Sequence, residues 1–174
     1  MTLFYENELD REGGFAPAGI DFDPEHLAAD VIRGALDLLD CPYESMVSLL
    51  ITGEDEIREM NRDARGIDRV TDVLSFPLLE FESPGDFSFL EEEGSDLFFD
   101  PDSGELNLGD IVICWPKCVA QAEEYGHGVR REFAFLTAHS ILHLSGFDHM
   151  TPEQEKAMFT LQEEILQKLG IVQI

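Results

Sequence analysis

Positive charge is scarce in this sequence: eleven lysines and arginines stand against 37 aspartates and glutamates, a formal net charge of −26. A surface of that sign repels nucleic acid at long range, which excludes binding by general attraction to phosphate. Any contact with a polyanion must come from a few basic residues gathered in one place. Cysteine is scarce as well. Cys41 stands alone beside Pro42, and Cys114 and Cys118 lie four apart. An odd number gives no disulfide framework, and one pair without a second is a poor metal site, so buried thiols are expected. No run approaches the roughly 20 apolar residues of a membrane helix. The opening MTLFYENELDREGG lacks the basic start and apolar block of a secretory leader. These absences point to a cytoplasmic protein with no membrane partner.

What is present suits one globular domain over 1–174. Asp23-Pro24 supplies an N-cap acid and a proline for the first helical turn, and Leu27, Val31, Ala35 and Leu38 recur at helical spacing to about Leu39. Ser45 to Thr52, SMVSLLIT, reads as a buried strand. GEDEIREMNRDAR follows as a helix with acids first and arginines last, as the helix dipole favours, and Gly66 stops it. Thr71 to Pro77 and Gly109 to Cys114 are further strands. Helices are expected over Lys117–Tyr125 and Arg130–Leu144. A last one starts at Thr151-Pro152, with Met158, Leu161, Ile165 and Leu169 on one face. Helices and strands mix without strict alternation, so the predicted class is α+β, with a mixed sheet of about four strands and surrounding helices.

Residues 80–105 differ from the rest. They hold ten acids, five phenylalanines and no lysine or arginine. The first reading is a solvated acidic insertion, dispensable for the site below; the phenylalanines leave room for a docked segment with structure of its own.

Three of the five histidines fall in HSILHLSGFDH. His139 and His143, four apart on a helix, project from one face within reach of one ion. Gly146 can end that helix in the left-handed conformation and let the chain return His149 to the same point. Three imidazoles with an open fourth position are the donor set of a catalytic zinc, one per chain. The spacing is that of metzincin proteases, but those carry glutamate after the first histidine as general base, and here the residue is Ser140. A serine hydroxyl does not replace that carboxylate, which argues against a peptidase. Asp148 can orient a ligand, act as base or stabilise the turn. His127, between two glycines, is read as a helix cap, and His26 as solvated.

The basic residues are not evenly spread. Arg58, Arg62, Arg65 and Arg69 fall within twelve positions, and planar guanidinium groups bind phosphate oxygens in pairs. Pairing with local acids is the alternative use, and it suits Arg58 better than Arg65 or Arg69. Together, MNRDARGIDRVTDVLSFP, LGDIVIC, GHGVRREFAFLTAHSILHLSGFDHM and MFTLQEEIL resemble the YbeY family of bacterial rRNA maturation factors. That resemblance implies a single-strand-specific, zinc-dependent endoribonuclease acting in rRNA processing and ribosome biogenesis. It also implies a zinc-metallopeptidase-like placement of the metal-binding helix. The partners implied are single-stranded rRNA and the ribosomal subunit or its assembly proteins. Carried over by position, the zinc ligands are His139, His143 and His149, and the family's functional arginine is Arg65, with Arg62 and Arg69 as substrate-binding neighbours. Family members usually have glycine where this chain has Ser140, and a shorter, less acidic connection at 80–105. A metallohydrolase of peptides or small molecules and a non-catalytic, zinc-stabilised assembly factor are the competing readings. With a few arginine–phosphate contacts acting against an unfavourable net charge, RNA binding is expected to weaken steeply with salt.

Overall fold

The computed structural model describes residues 1–9 and 20–171. Four strands form one sheet in the order β1-β2-β4-β3, where β1 is Thr2–Asn7, β2 Ser45–Thr52, β3 Val73–Pro77 and β4 Leu106–Cys114. β1, β2 and β4 run parallel, and β3 pairs antiparallel to β4, from Val73 opposite Ile113 to Pro77 opposite Gly109. The helices are α1 (Pro24–Leu38), α2 (Glu54–Arg65), α3 (Trp115–Tyr125), α4 (Val129–Leu144) and α5 (Pro152–Lys168). The expected α+β class and mixed four-stranded sheet are what the chain adopts.

Local chemistry explains the element ends. The Asp23 side chain accepts from the Glu25 amide at the start of α1, and Gly66 closes α2 with a left-handed φ of 71°. Thr151 and Gln154 form a reciprocal capping box ahead of α5, with Pro152 in its first turn. Strand β1 had no counterpart in the expected elements. It is a sheet edge, and Phe4 points outward at 55% exposure, which blurs the alternation that marks a half-buried strand.

The core lies between the sheet and the helices. Val47, Leu49 and Ile51 of β2 and Ile111 and Ile113 of β4 join Val31 and Ala35 of α1 and Phe133 and Ile141 of α4 in one cluster. Each large side chain so buried stabilises the fold by about 1.5–3 kcal/mol. A smaller cluster of Ile57, Leu74, Val112 and Cys114 packs α2 onto the sheet. Helix α4 is buried along nearly its whole length and touches α1, α3, α5, β3 and β4. A helix that is apolar on every side belongs inside the molecule, where its neighbours fix its position and rotation. Side chains that emerge at its C-terminal end are therefore held on a rigid support.

Residues 80–105 take the docked course, and the reading of a solvated loop is corrected. Two short 3₁₀ helices, Phe87–Glu91 and Ser95–Phe98, bury Phe87 and Leu90 in the main core, while Phe81, Phe89, Phe98 and Phe99 pack against it. Phe81 meets Phe87 and Phe89 edge-on, with ring centroids 5.2 and 5.1 Å apart. The acids of the segment face solvent between these anchors, as in the exposed run Glu91–Glu93.

Candidate metal centre

The last turns of α4 carry His139 and His143, whose Nε2 atoms lie 3.1 Å apart. Two nitrogens of one tetrahedral zinc, bonded at about 2.0–2.1 Å, stand roughly 3.3 Å apart, so this pair needs almost no adjustment. Beyond Leu144 the chain reverses. The Gly146 amide donates to the His143 carbonyl at 3.1 Å and the Phe147 amide to the Leu142 carbonyl at 3.0 Å, with Gly146 at a φ of 95°. The Asp148 carboxylate accepts from the His149 amide at 2.8 Å and sets the second half of the turn. This reversal brings His149 back, and one ligand atom from each of His139, His143 and His149 lies within 4.8 Å of the others. Three histidines are thus positioned to bind a metal ion.

Electrostatics prepares them. Burial, reinforced by His143 and His149, lowers His139 to about 4, against the opposing influences of Asp72 and Gln162. Burial also lowers His143, followed by His149, with a smaller contribution from Arg65. Both imidazoles are neutral near pH 7, the form that donates a lone pair to a metal. The Gln162 carboxamide of α5, itself buried, lies 3.2 Å from Nδ1 of His139. Turned with its oxygen toward the ring, it accepts the Nδ1 proton and leaves Nε2 free for a metal. Gln162 escaped the sequence reading because it is a lone amide 23 residues from its partner; its only signal was a polar residue next to the apolar face of the last helix.

The triad borders a polar cleft of about 400 Å³ that also contains Arg65, Asp72, Ser75 and Asp148. The four arginines part company here. Arg65 opens toward the histidines, and no carboxylate among the described residues lies within ion-pair distance of it. Arg58 is bonded to Asp68 at 2.8 Å, and Arg62 meets Asp63 at 3.3 Å and Glu59 at 3.8 Å, in a separate surface recess. Arg69 is exposed in the turn after α2, its carbonyl accepting from the Asn61 side-chain Nδ2. Ser140 is fully buried and shares a 2.6 Å hydrogen bond with Ser75, which ties α4 to β3.

The remaining candidates have structural places. His127 is nearly buried, with Nε2 3.3 Å from Glu132, and His26 is exposed beside Asp30. Cys114 and Cys118 are free and buried. Burial pushes the Cys114 thiol up to about 11 and the Cys118 thiol higher still, so neither offers a thiolate near neutral pH. The insertion, expected to stand apart from the site, reaches it. The Gly85 amide donates to the Ser145 carbonyl at 2.9 Å, and Phe81 covers Gly146 so closely that a Cβ there would sit 2.6 Å from the Phe81 Cβ.

These features define a class: an α+β protein whose central buried helix presents a three-imidazole metal centre in one cleft with an arginine, Arg65. Comparison with known proteins gives the particular family. The model of the family described as Endoribonuclease YbeY matches residues 18–170, and the chain belongs to that family. It is 47% identical over 174 residues to the Endoribonuclease YbeY of Lachnospira eligens, covering 98% of this chain and 99% of the relative. It is 45% identical over 164 residues to that of Shouchella clausii, covering 94% of each. The solution structure of TM1509 from Thermotoga maritima matches with a TM-score of 0.52 at 22% identity, over 97% of this chain and 91% of that one, a likeness of fold.

Proposed function

We propose that this chain is a zinc-dependent endoribonuclease that cuts single-stranded RNA in rRNA maturation, acting in the cytoplasm on the ribosomal subunit or with its assembly proteins. The observation that carries the reading is the shared cleft of His139, His143, His149 and the unpaired Arg65. His139, His143 and His149 are the ligands. When bound there, zinc supplies Lewis-acid charge at a phosphoryl oxygen and a nucleophile at neutral pH. Arg65 holds a non-bridging phosphate oxygen and offsets the charge that develops on it. Arg69, exposed beyond α2, meets the strand one phosphate away, and Arg62, which stays with Asp63 and Glu59, lends its charge beside that path. Gln162 keeps the proton of His139 on Nδ1. Ser140, bonded to Ser75, is no substitute for the carboxylate base of a peptidase.

The test is parallel incubation of single-stranded RNA, matching DNA and an unfolded protein with the purified chain in metal-loaded, chelated, His143→Ala and Arg65→Glu forms. RNA alone should be cut, by the loaded wild type alone, and Arg65→Glu should keep its zinc while losing at least about a hundredfold in rate. Chelator-sensitive degradation of the protein with untouched RNA would replace this reading by a peptidase.

A further inference from the structure

Two clefts open from the histidine triad, and the reading above uses only the polar one. The second, of about 610 Å³, shares His139 and His149 with it; its apolar wall includes Phe135 of α4 and Met158 and Phe159 of α5, and Glu155, Lys156 and Gln162 are its other polar residues. Phe159 is 53% exposed, yet its ring is held edge-on to Phe135 with centroids 6.3 Å apart. An aromatic ring left this open in a cleft that shares two of the three histidines offers apolar surface to whatever enters it.

We propose that this cleft is a nucleobase subsite. It takes one unpaired base of an RNA strand, stacked on Phe159 and flanked by Phe135, while the adjoining phosphate lies at the triad and Arg65. The proposal rests on the RNA reading given above. Three physical arguments support it. A molecule of net charge −26 gains little from phosphate beyond its few free arginines, whereas a base is uncharged and its stacking is not opposed by that field. The two clefts share the His139 and His149 wall, so an occupant of the apolar cleft is one group removed from the reacting atoms, as a base is from its own phosphate. The volume is that of an ordinary small-ligand pocket and ample for one base. A base inside a duplex is paired and stacked on its neighbours, so only an unpaired nucleotide can enter, and preference for single strands follows from shape. The polar groups in the lining are few. The Gln162 amide is already engaged by His139, which leaves Glu155 and Lys156 at the surface. Such a site reads the presence of a base and tolerates its identity.

The test uses the zinc-loaded full chain and a labelled single-stranded oligoribonucleotide with 2′-O-methyl sugars, read in the cold and within the time over which gel analysis shows the strand intact. A matching strand carries abasic residues in place of its bases. Fluorescence anisotropy compares wild type, Phe159→Ala and Phe159→Trp, with zinc content and Tm measured on each. Phe159→Ala should retain its zinc and lose roughly five- to a hundredfold in affinity for the intact strand. Wild type should bind the abasic strand about as weakly, Phe159→Ala should add nothing to that loss, and Phe159→Trp should restore binding of the intact strand. Equal affinity of wild type and Phe159→Ala for the intact strand would overturn the subsite and leave RNA binding standing, as would an equal further loss on both strands. If Phe159→Ala fails to fold, the wild-type comparison of intact and abasic strands decides: equal affinity overturns the proposal and a clear difference supports it. A wild type that binds neither strand removes the RNA reading itself, before any variant is considered. Retention of an apolar peptide by wild type that Phe159→Ala loses would assign the cleft to a polypeptide side chain instead.

Discussion

Gln162 shows how much of a metal centre lies outside its ligands. A carboxamide that accepts the Nδ1 proton of His139 fixes both the tautomer and the rotation of the ring, and such partners carry about ten- to a hundredfold in metal affinity. Gln162→Leu should therefore hold zinc about tenfold or more weakly in competition with a chromogenic chelator, and Gln162→Glu, which still accepts the proton, should not. Equal retention by all three forms would reduce Gln162 to packing. Glu132, a buried carboxyl at the start of α4, makes a pH prediction. Burial first, and the charge of Asp72 second, push the Glu132 carboxyl up to about 7 against the pull of Arg131, from an ordinary value of 4.5. Between those values the folded protein keeps a proton that the unfolded chain has released. The contribution is thus complete below about pH 4.5 and lost as pH rises through about 7. Glu132→Gln, permanently neutral, should flatten the fall in unfolding free energy, from urea titrations between pH 5 and 8, by on the order of 1–3 kcal/mol. Parallel pH profiles for the two proteins would show that Glu132 stays ionised beside His127. The triad was legible in the sequence because its three residues are close in the chain and of one rare type. Gln162 and Glu132 were not, since their roles come from what lies across the helix interface.

At the scale of elements, the turn after α4 and the acidic segment act as one unit. Gly146 combines a φ of 95° with a Phe81 ring pressed against its α-carbon, so both backbone conformation and space exclude a side chain. Gly146→Ala should cost at least about 2 kcal/mol and release metal with it, because the same turn carries His149. Adding Phe81→Gly, which removes the opposing Cβ as well as the ring, should make the double variant lose less than the sum of the two single losses, leaving the backbone strain; Tm and zinc content of the single and double variants measure this. Replacing residues 80–105 by a Gly/Ser linker should likewise lower Tm and loosen zinc. Phe87 and Leu90 each bury a side chain worth about 1.5–3 kcal/mol, and Phe81 roofs the turn. A linker variant with wild-type Tm and full zinc would return the segment to the status of a solvated connector. The helices were legible to within two residues at most ends, because caps, glycines and apolar periodicity agree locally. Strand β1 and the docking of the phenylalanines were not, because both depend on partners distant in the chain: β2 for the first, the core and Gly146 for the second.

For the whole molecule, the question is how a protein of charge −26 approaches an RNA strand. The sequence shows four arginines in twelve positions, and a few phosphate contacts from that stripe suggest binding that falls steeply with salt. The fold divides the stripe. Arg58 and Arg62 are held by Asp68, Asp63 and Glu59, which leaves Arg65 at the histidine cleft, Arg69 exposed beyond α2 and Lys156 at the apolar cleft. Each phosphate neutralised on a single strand contributes about −0.7 to the slope of log K against log salt, so two or three contacts give roughly −1.4 to −2.1. Long-range repulsion between the acidic surface and the strand acts in the opposite sense, because added salt screens it. The slope for single-stranded RNA should thus be shallow, between about −1 and −2 from 50 to 300 mM salt, by anisotropy on the zinc-loaded protein. Arg65→Ala should reduce it by a little under one, and Arg58→Ala should leave it almost unchanged, since an arginine already paired to Asp68 releases no counterion from the strand. A wild-type slope steeper than about −4 would require a larger basic footprint, one in which Arg58 and Arg62 leave their carboxylates for phosphate.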